Sequence, residues 1–290
     1  RMANCYAGFI QGRLPRAAVI CTMRTGKLLP YLFVRSLKLC RHIIANSHVA
    51  KRVLTDDHGI PAHKITVIHN PVLRFTDETA PRNNALRRYH GANPTTVVLL
   101  NVAMFRPEKN QRELIELCAK LPGYLDWQLW LAGDGPARKG CQRLAHDLGL
   151  GSRVKFLGYT SDPTPLYHAS DLAVLASQSE SLSNFLIEAQ LHGLPVVAYD
   201  IVGVGECFVP DRSGCLIPNR DQVSFIAALD RLIRQPAERQ RFAQHGREHA
   251  QAKFVPERQM QAHLALFREL TKPVTKEAAK PIGKPPLMIG

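Results

Sequence analysis

Leu172-Ala-Val-Leu-Ala-Ser-Gln-Ser-Glu180-Ser-Leu-Ser-Asn-Phe-Leu-Ile-Glu188-Ala-Gln-Leu-His-Gly193-Leu-Pro-Val-Val-Ala-Tyr199 is the stretch on which the reading of this chain turns. The apolar run from Leu172 to Ala176 suits a buried strand, and a polar loop carrying Glu180 follows it. A helix is expected from Asn184 to His192, and Gly193-Leu-Pro then leads into a second apolar run from Val196 to Tyr199. Strand, helix, strand in that order implies a parallel sheet, because only a crossover returns the chain in the same direction.

The same alternation extends both ways. Upstream it runs through strand Val97 to Ala103, helix Gln111 to Leu121, strand Gln128 to Ala132, helix Pro136 to Leu148, strand Val154 to Leu157 and a short helix Pro163 to Ala169. Downstream come a short strand near Cys215 to Ile217 and helices Asp221 to Ile233 and Pro236 to Lys253. Residues 95 to 255 thus predict a doubly wound α/β domain, which takes its ligand at the carboxyl ends of its strands. A terminal helix is expected over 256 to 270, and residues 271 to 290, rich in Lys and Pro with little to bury, read as a disordered tail.

Toward the start, strands are expected at 17 to 22, 41 to 47 and 64 to 69, with helices over Leu28 to Cys40 and Ser47 to His58, the latter capped by Gly59. These two βα units fill residues 1 to 78, and a polar connector with a short helix spans 79 to 94. The chain opens on Arg1 within an apparent helix, and 78 residues are short for a domain, so an incomplete N-terminal domain is expected.

Around Glu180 the chemistry is legible from the residue types. A helix beginning near Ser183 or Asn184 presents free backbone N–H groups at its start, which suits an anion. Glu188, one turn in, can point a carboxylate back to the crevice, where such groups accept hydrogen bonds from ribose hydroxyls. On spacing alone, a solvated Glu180 and a surface Glu188 account for the pattern equally well.

Glu-x7-Glu before a helix and then Gly-x-Pro-Val-Val resembles the signature of the GT-B glycosyltransferases of family 4. Four further segments match in order: Asn101-Val-Ala-Met-Phe-Arg-Pro-Glu-Lys109-Asn, Leu131-Ala-Gly-Asp-Gly-Pro136, Val154-Lys-Phe-Leu-Gly158 and Leu166-Tyr-His-Ala-Ser-Asp171. The resemblance implies a GT-B fold of two Rossmann-like doubly wound domains, the N-terminal one incomplete here. It also implies transfer of a sugar from a nucleotide-diphosphate sugar, UDP-linked in the first instance, with retention of configuration. The expected acceptor is a glycan or a lipid-linked sugar of cell-surface polysaccharide or lipopolysaccharide synthesis.

By that resemblance Lys109 binds the donor diphosphate, Glu188 the ribose and Glu180 the transferred sugar, with backbone amides from Ser183, Asn184 and Phe185 nearby. Gly133 and Gly135 let the backbone turn close to the ligand, or form an ordinary βα turn, and Tyr159 flanks the base. Where the family carries an arginine five residues before the lysine this chain has Met104; Arg106 is the substitute. Where many members carry a histidine in the N-terminal domain, this chain has Arg24, an acceptor-side candidate that is a poor proton acceptor at neutral pH. No cofactor and no metal is implied, since Lys109, Arg106 and the helix N-terminus supply the positive charge at the leaving diphosphate. A front-face mechanism directed by that diphosphate accords with the lack of an obvious nucleophile.

Composition narrows the partners. The net charge is +14, and residues 1 to 78 hold 12 Lys/Arg against 4 Asp/Glu, a surface that attracts phosphates. Aromatic residues are only 7% and do not interleave with Lys and Arg, which argues against a nucleic-acid platform. The basic start with the amphipathic stretch Leu28 to Ile44 suits an anionic membrane surface, although a helix packed in the fold with its basic residues in solvent accounts for it as well. Seven scattered cysteines without a C-x-x-C spacing read as reduced thiols, and a cytoplasmic location, peripheral on the membrane, is expected. No protein-built zinc site is expected among the twelve histidines. Competing readings are a sugar-nucleotide epimerase of GT-B architecture and a nucleotide-binding module without activity.

Overall fold

The computed structural model describes residues 2–14, 17–24, 29–72 and 81–272. Most of the expected Lys/Pro tail, the start of the connector and Leu28 lie outside those residues.

The first unit contains α1 (Met2–Gln11), β1 (Ile20–Met23), α2 (Tyr31–Leu39), β2 (His42–Ala45), α3 (His48–Arg52) and β3 (Ile65–Val67). Its strands pair in parallel in the order β1-β2-β3. Apolar side chains from both layers, among them Cys21, Phe33, Leu37, Ile43 and Leu54, close into a small core. Ser47 caps α3 by accepting from the Ala50 amide at 3.0 Å. The helix expected to run to His58 instead passes after Arg52 into a π-helical turn over Val53–Asp57, and Gly59 ends it at φ 60.

The second unit holds α4 (Asn84–Tyr89), β4 (Val97–Val102), α5 (Gln111–Ala119), β5 (Trp127–Ala132), α6 (Arg138–Asp147), β6 (Val154–Gly158), α7 (Thr164–Ala169) and β7 (Leu172–Leu175). After them come α8 (Asn184–Leu191), β8 (Val196–Asp200), β9 (Gly214–Pro218), α9 (Gln222–Arg234), α10 (Pro236–Phe254) and α11 (Pro256–Leu270). Six parallel strands lie in the order β6-β5-β4-β7-β8-β9. The chain starts in the middle at β4, winds outward to β6, and returns past β4 to β7. That reversal between β4 and β7 opens a crevice at their carboxyl ends. Strands β4, β5 and β7 are buried almost throughout, as a sheet covered on both faces requires.

Two polar anchors set this unit's geometry. Asn101, buried on β4, donates through Nδ2 to the Val174 carbonyl at 2.8 Å and ties β4 to β7 near the crevice. At the opposite end buried Arg87 of α4 meets Asp171 at 3.0 Å, and Asp171 also accepts from the Val98 amide at 2.8 Å.

Helix α11 does not stay with the second unit. Leu266 forms a small apolar cluster with Ile44 of β2 and Ile68 beyond β3, with Ile20, Ala262 and Leu270 against it. The chain therefore crosses between the units once near Val72, which lies in the second core, and again near Val255.

Candidate functional site

Three loops meet at the switch point. After β4 the chain turns through Pro107–Lys109 and Asn110, which adopts a left-handed conformation at φ 52 before α5. The loop after β7 is pinned to that turn, because the Gln178 amide donates to the Glu108 carbonyl at 2.8 Å. This places Lys109 Nζ 2.6 Å from Glu180 Oε1, with the two side chains 26% and 8% exposed. Glu180 is therefore enclosed, which removes the reading of a solvated loop residue.

Gly133 and Gly135 have φ of 136° and 148°, and a Cβ added to either would lie 2.0 Å from the Ala103 carbonyl oxygen or 2.4 Å from that of Phe105. Side chains are excluded because the loops after β4 and β5 touch backbone to backbone. Beside this contact lies a cavity of about 460 Å³, mostly apolar, lined by Val102, Ala103, Met104, Gly133, Asp134 and Tyr159 among others. Tyr159 is 78% exposed at its rim. Arg106 is exposed and its Nε donates to the Met104 sulfur at 2.9 Å, so it folds onto the cavity lip.

Helix α8 begins at the same crevice. Its N-cap Ser183 is extended and makes no side-chain cap. The Ser183 amide donates to the Cys207 sulfur at 3.3 Å, so of the three amides expected to face an anion this one already has a partner. Asn184 Oδ1 accepts from Asn70 of the first unit at 3.1 Å, and Phe185 is buried. Glu188 Oε2 accepts from the hydroxyl of buried Tyr167 at 2.7 Å. Tyr167 is itself stacked on His192, with ring centroids 4.6 Å apart.

The first unit supplies the opposite wall. Asn46, just past β2, accepts from the Ser181 hydroxyl at 2.8 Å. Glu206, in the loop after β8, spans the crevice: its two carboxylate oxygens accept from the His48 and Val49 amides at 2.8 Å each, and His69 Nε2 lies 3.4 Å away. Burial pushes the Glu206 carboxyl up, but the bonds from His69, His48 and Val49 outweigh it and hold the group at about 2. Arg24 is exposed one residue beyond β1.

Asn46 and Glu206 went unnoticed in the sequence because each acts through a partner far along the chain, and Tyr167 because its partner Glu188 is met only after the chain has passed through β7. Tyr167 does lie within Leu166-Tyr-His-Ala-Ser-Asp171, where a buried aromatic hydroxyl calls for a polar partner. His245 and His249 stand four apart on α10, but the His245 Nδ1–H donates to the Arg241 carbonyl and the His249 ring lies against Phe254. Among the described residues the group whose ligand atoms converge is His48, His69 and Glu206, all within 4.8 Å of one another.

Two parallel α/β units joined across a crevice, with a lysine, two glutamates and a helix N-terminus at the switch point of the second, define the GT-B class. The chain belongs to the glycosyl transferases group 1 family, whose model matches residues 83–249, and residues 7–72 match that of glycosyltransferase family 4. It is 32% identical over 170 residues to the lipopolysaccharide core biosynthesis glycosyltransferase LpsE of Rhizobium meliloti, covering 59% of this chain and 49% of that one. It is also 32% identical over 238 residues to the D-inositol 3-phosphate glycosyltransferase of Mycobacterium marinum, covering 79% of this chain and 50% of that one. The chain thus spans about half the length of these relatives. Among solved structures, HepE of Anabaena in complex with UDP superimposes with a TM-score of 0.83 at 22% identity, over 92% of this chain and 76% of that one. WaaG, a glycosyltransferase involved in lipopolysaccharide biosynthesis, does so with a TM-score of 0.72 at 18% identity, over 89% and 80%.

Proposed function

We propose that this chain binds a nucleotide-diphosphate sugar in the crevice at the ends of β4 and β7 and serves transfer of that sugar, with retention, to a glycan or lipid-linked acceptor. The observation that carries the reading is the enclosed Lys109–Glu180 pair beside the start of α8. The ammonium is placed to meet the donor diphosphate and stabilise it as it leaves, helped by the amides at the helix start. Glu180, freed by the exchange, accepts from hydroxyls of the sugar, and Glu188, held by Tyr167, takes the ribose. The apolar cavity beside Tyr159 suits the base. The donor needs no metal in this reading, because protein cations cover the diphosphate.

HepE has been crystallised with UDP and with UDP-glucose, which supports a uridine nucleotide as the first donor to try. LpsE, by its name a lipopolysaccharide core biosynthesis glycosyltransferase, supports an acceptor in lipopolysaccharide synthesis, and we extend the proposal to a hexosyl group transferred at the cytoplasmic face of the membrane. No helix among the described residues is long and apolar enough to cross a membrane. A peripheral approach is supported by exposed Tyr6, Phe9, Tyr31 and Leu32 on α1 and α2, which share those helices' region with Arg13 and Arg35 and suit an anionic leaflet. Arg24 stands on the acceptor side, and Arg106 at the cavity lip is a second cation for the donor.

Calorimetric titration with UDP, GDP and ADP, with Lys109→Ala as control, tests the donor site. Binding of one nucleotide that is lost in the variant supports it, and no binding to any removes it. Sedimentation with phosphatidylglycerol vesicles at low and physiological salt tests the membrane surface, and failure to cosediment at either would discard it.

A further inference from the structure

His48, His69 and Glu206 are brought together by folding alone. His48 opens α3, His69 lies two residues past β3, and Glu206 comes from the loop after β8 in the other unit. We propose that these three side chains form a binding site for a divalent transition-metal ion of the zinc class, joining the two units across the crevice.

The geometry favours ligation over a simple ion pair. Glu206 Oε2 and His69 Nε2 are 3.4 Å apart, long for a charge-assisted hydrogen bond. Two ligand atoms on a tetrahedral ion, with bonds of ~2.0–2.1 Å, are separated by roughly that distance. Both groups are already oriented. The Glu206 carboxylate is fixed by the His48 and Val49 amides, and the His69 ring is held edge-on to Phe254 with centroids 5.4 Å apart. His48 is exposed, with its ring centroid 5.9 Å from that of His69, so rotation of one side chain completes three ligands and leaves a fourth position to water. The nearby ammonium of Lys253 donates to the Glu206 main-chain carbonyl at 2.8 Å and leaves the carboxylate to the histidines. Two imidazoles and one carboxylate suit Zn²⁺, Co²⁺ or Ni²⁺ better than Mg²⁺ or Ca²⁺, which prefer all-oxygen shells.

The donor crevice lies between the same two units, so an ion here would hold them at a fixed angle. Its effect would fall on opening and closing rather than on bond making.

The test is titration of the whole chain with Co²⁺, followed by its visible absorption, and with Zn²⁺ by calorimetry. The expected result is one equivalent bound with a nitrogen and oxygen ligand spectrum, weakened at least tenfold by His48→Ala and by His69→Gln, and unchanged by His245→Ala on α10. His48→Ala removes an exposed ring and so serves should His69→Gln disturb the fold. Binding unaffected by His48→Ala, a thiolate charge-transfer band marking cysteine ligation, or no binding to the unaltered chain would each overturn the assignment.

Discussion

Lys109 Nζ sits 2.6 Å from Glu180 Oε1, joining the loop that follows β4 to the loop that follows β7 across the switch point of the sheet. On the proposed reading each group occupies the other's ligand position, and a bound donor would separate them. In Glu180→Gln the lysine keeps its charge but loses its anionic partner. The free nucleoside diphosphate should then bind several-fold more tightly while sugar transfer falls, whereas Lys109→Ala should lose both, with a rate reduction of the order of 100-fold. Parallel calorimetry and steady-state assays check this, and weaker diphosphate binding in Glu180→Gln would refute the exchange.

Tyr167→Phe removes one hydroxyl from a ring that stays stacked on His192. Glu188 loses a donor without a cavity forming, so the melting temperature should move little. Nucleotide affinity should drop about fivefold, the worth of roughly 1 kcal/mol of lost orientation. Equal affinity would mean that Glu188 does not need Tyr167 to be placed.

Gly133→Ala sets a Cβ against the Ala103 carbonyl oxygen in a backbone conformation that alanine avoids. Destabilisation of roughly 2 to 4 kcal/mol is expected, read from urea midpoints at constant slope. A shift below about 0.5 kcal/mol, within the scatter of surface substitutions, would show that the two loops separate easily.

Glu206 provides a pH signature. Its carboxyl is held at about 2 against an ordinary 4.5, so the unfolded state binds the proton more tightly. The stabilisation is complete above the unfolded value and is lost as pH falls toward the folded one, between about 4.5 and about 2. Its full size is of the order of 3 kcal/mol. The stability difference between the unaltered chain and Glu206→Gln should therefore be constant from pH 7 to 5 and shrink below pH ~4. A difference that stays flat down to pH ~3 would locate the anchoring elsewhere.

The parallel, doubly wound sheet and a ligand site at its carboxyl ends were legible because they depend on local pattern, apolar runs such as Leu172 to Ala176 alternating with helical periodicity; the strand order was not, because it depends on where each crossover returns. The meeting of Lys109 with Glu180 was anticipated only in the sense that both were assigned to one ligand; their direct contact depends on the Gln178 amide reaching the Glu108 carbonyl, which no spacing reveals. Arg106 was picked out by proximity in sequence alone, and that its Nε donates to the Met104 sulfur at the cavity lip was not legible there. Glu206 lay beyond reach because its partners, His48 and His69, are 158 and 137 residues away and belong to the other unit. The early end of α3 was hidden too, because Val53 to Asp57 remains helical in composition while its hydrogen bonds shift to the π pattern.

The placement of Leu266 against Ile44 and Ile68 has a consequence for engineering the family. A recombinant that exchanges the first unit of one such protein for another's cannot be cut at a single junction near Val72. Helix α11 belongs structurally to the half it returns to, so a graft must carry residues 256–270 with the first 72, or it will confront one sheet with a helix evolved for a different one.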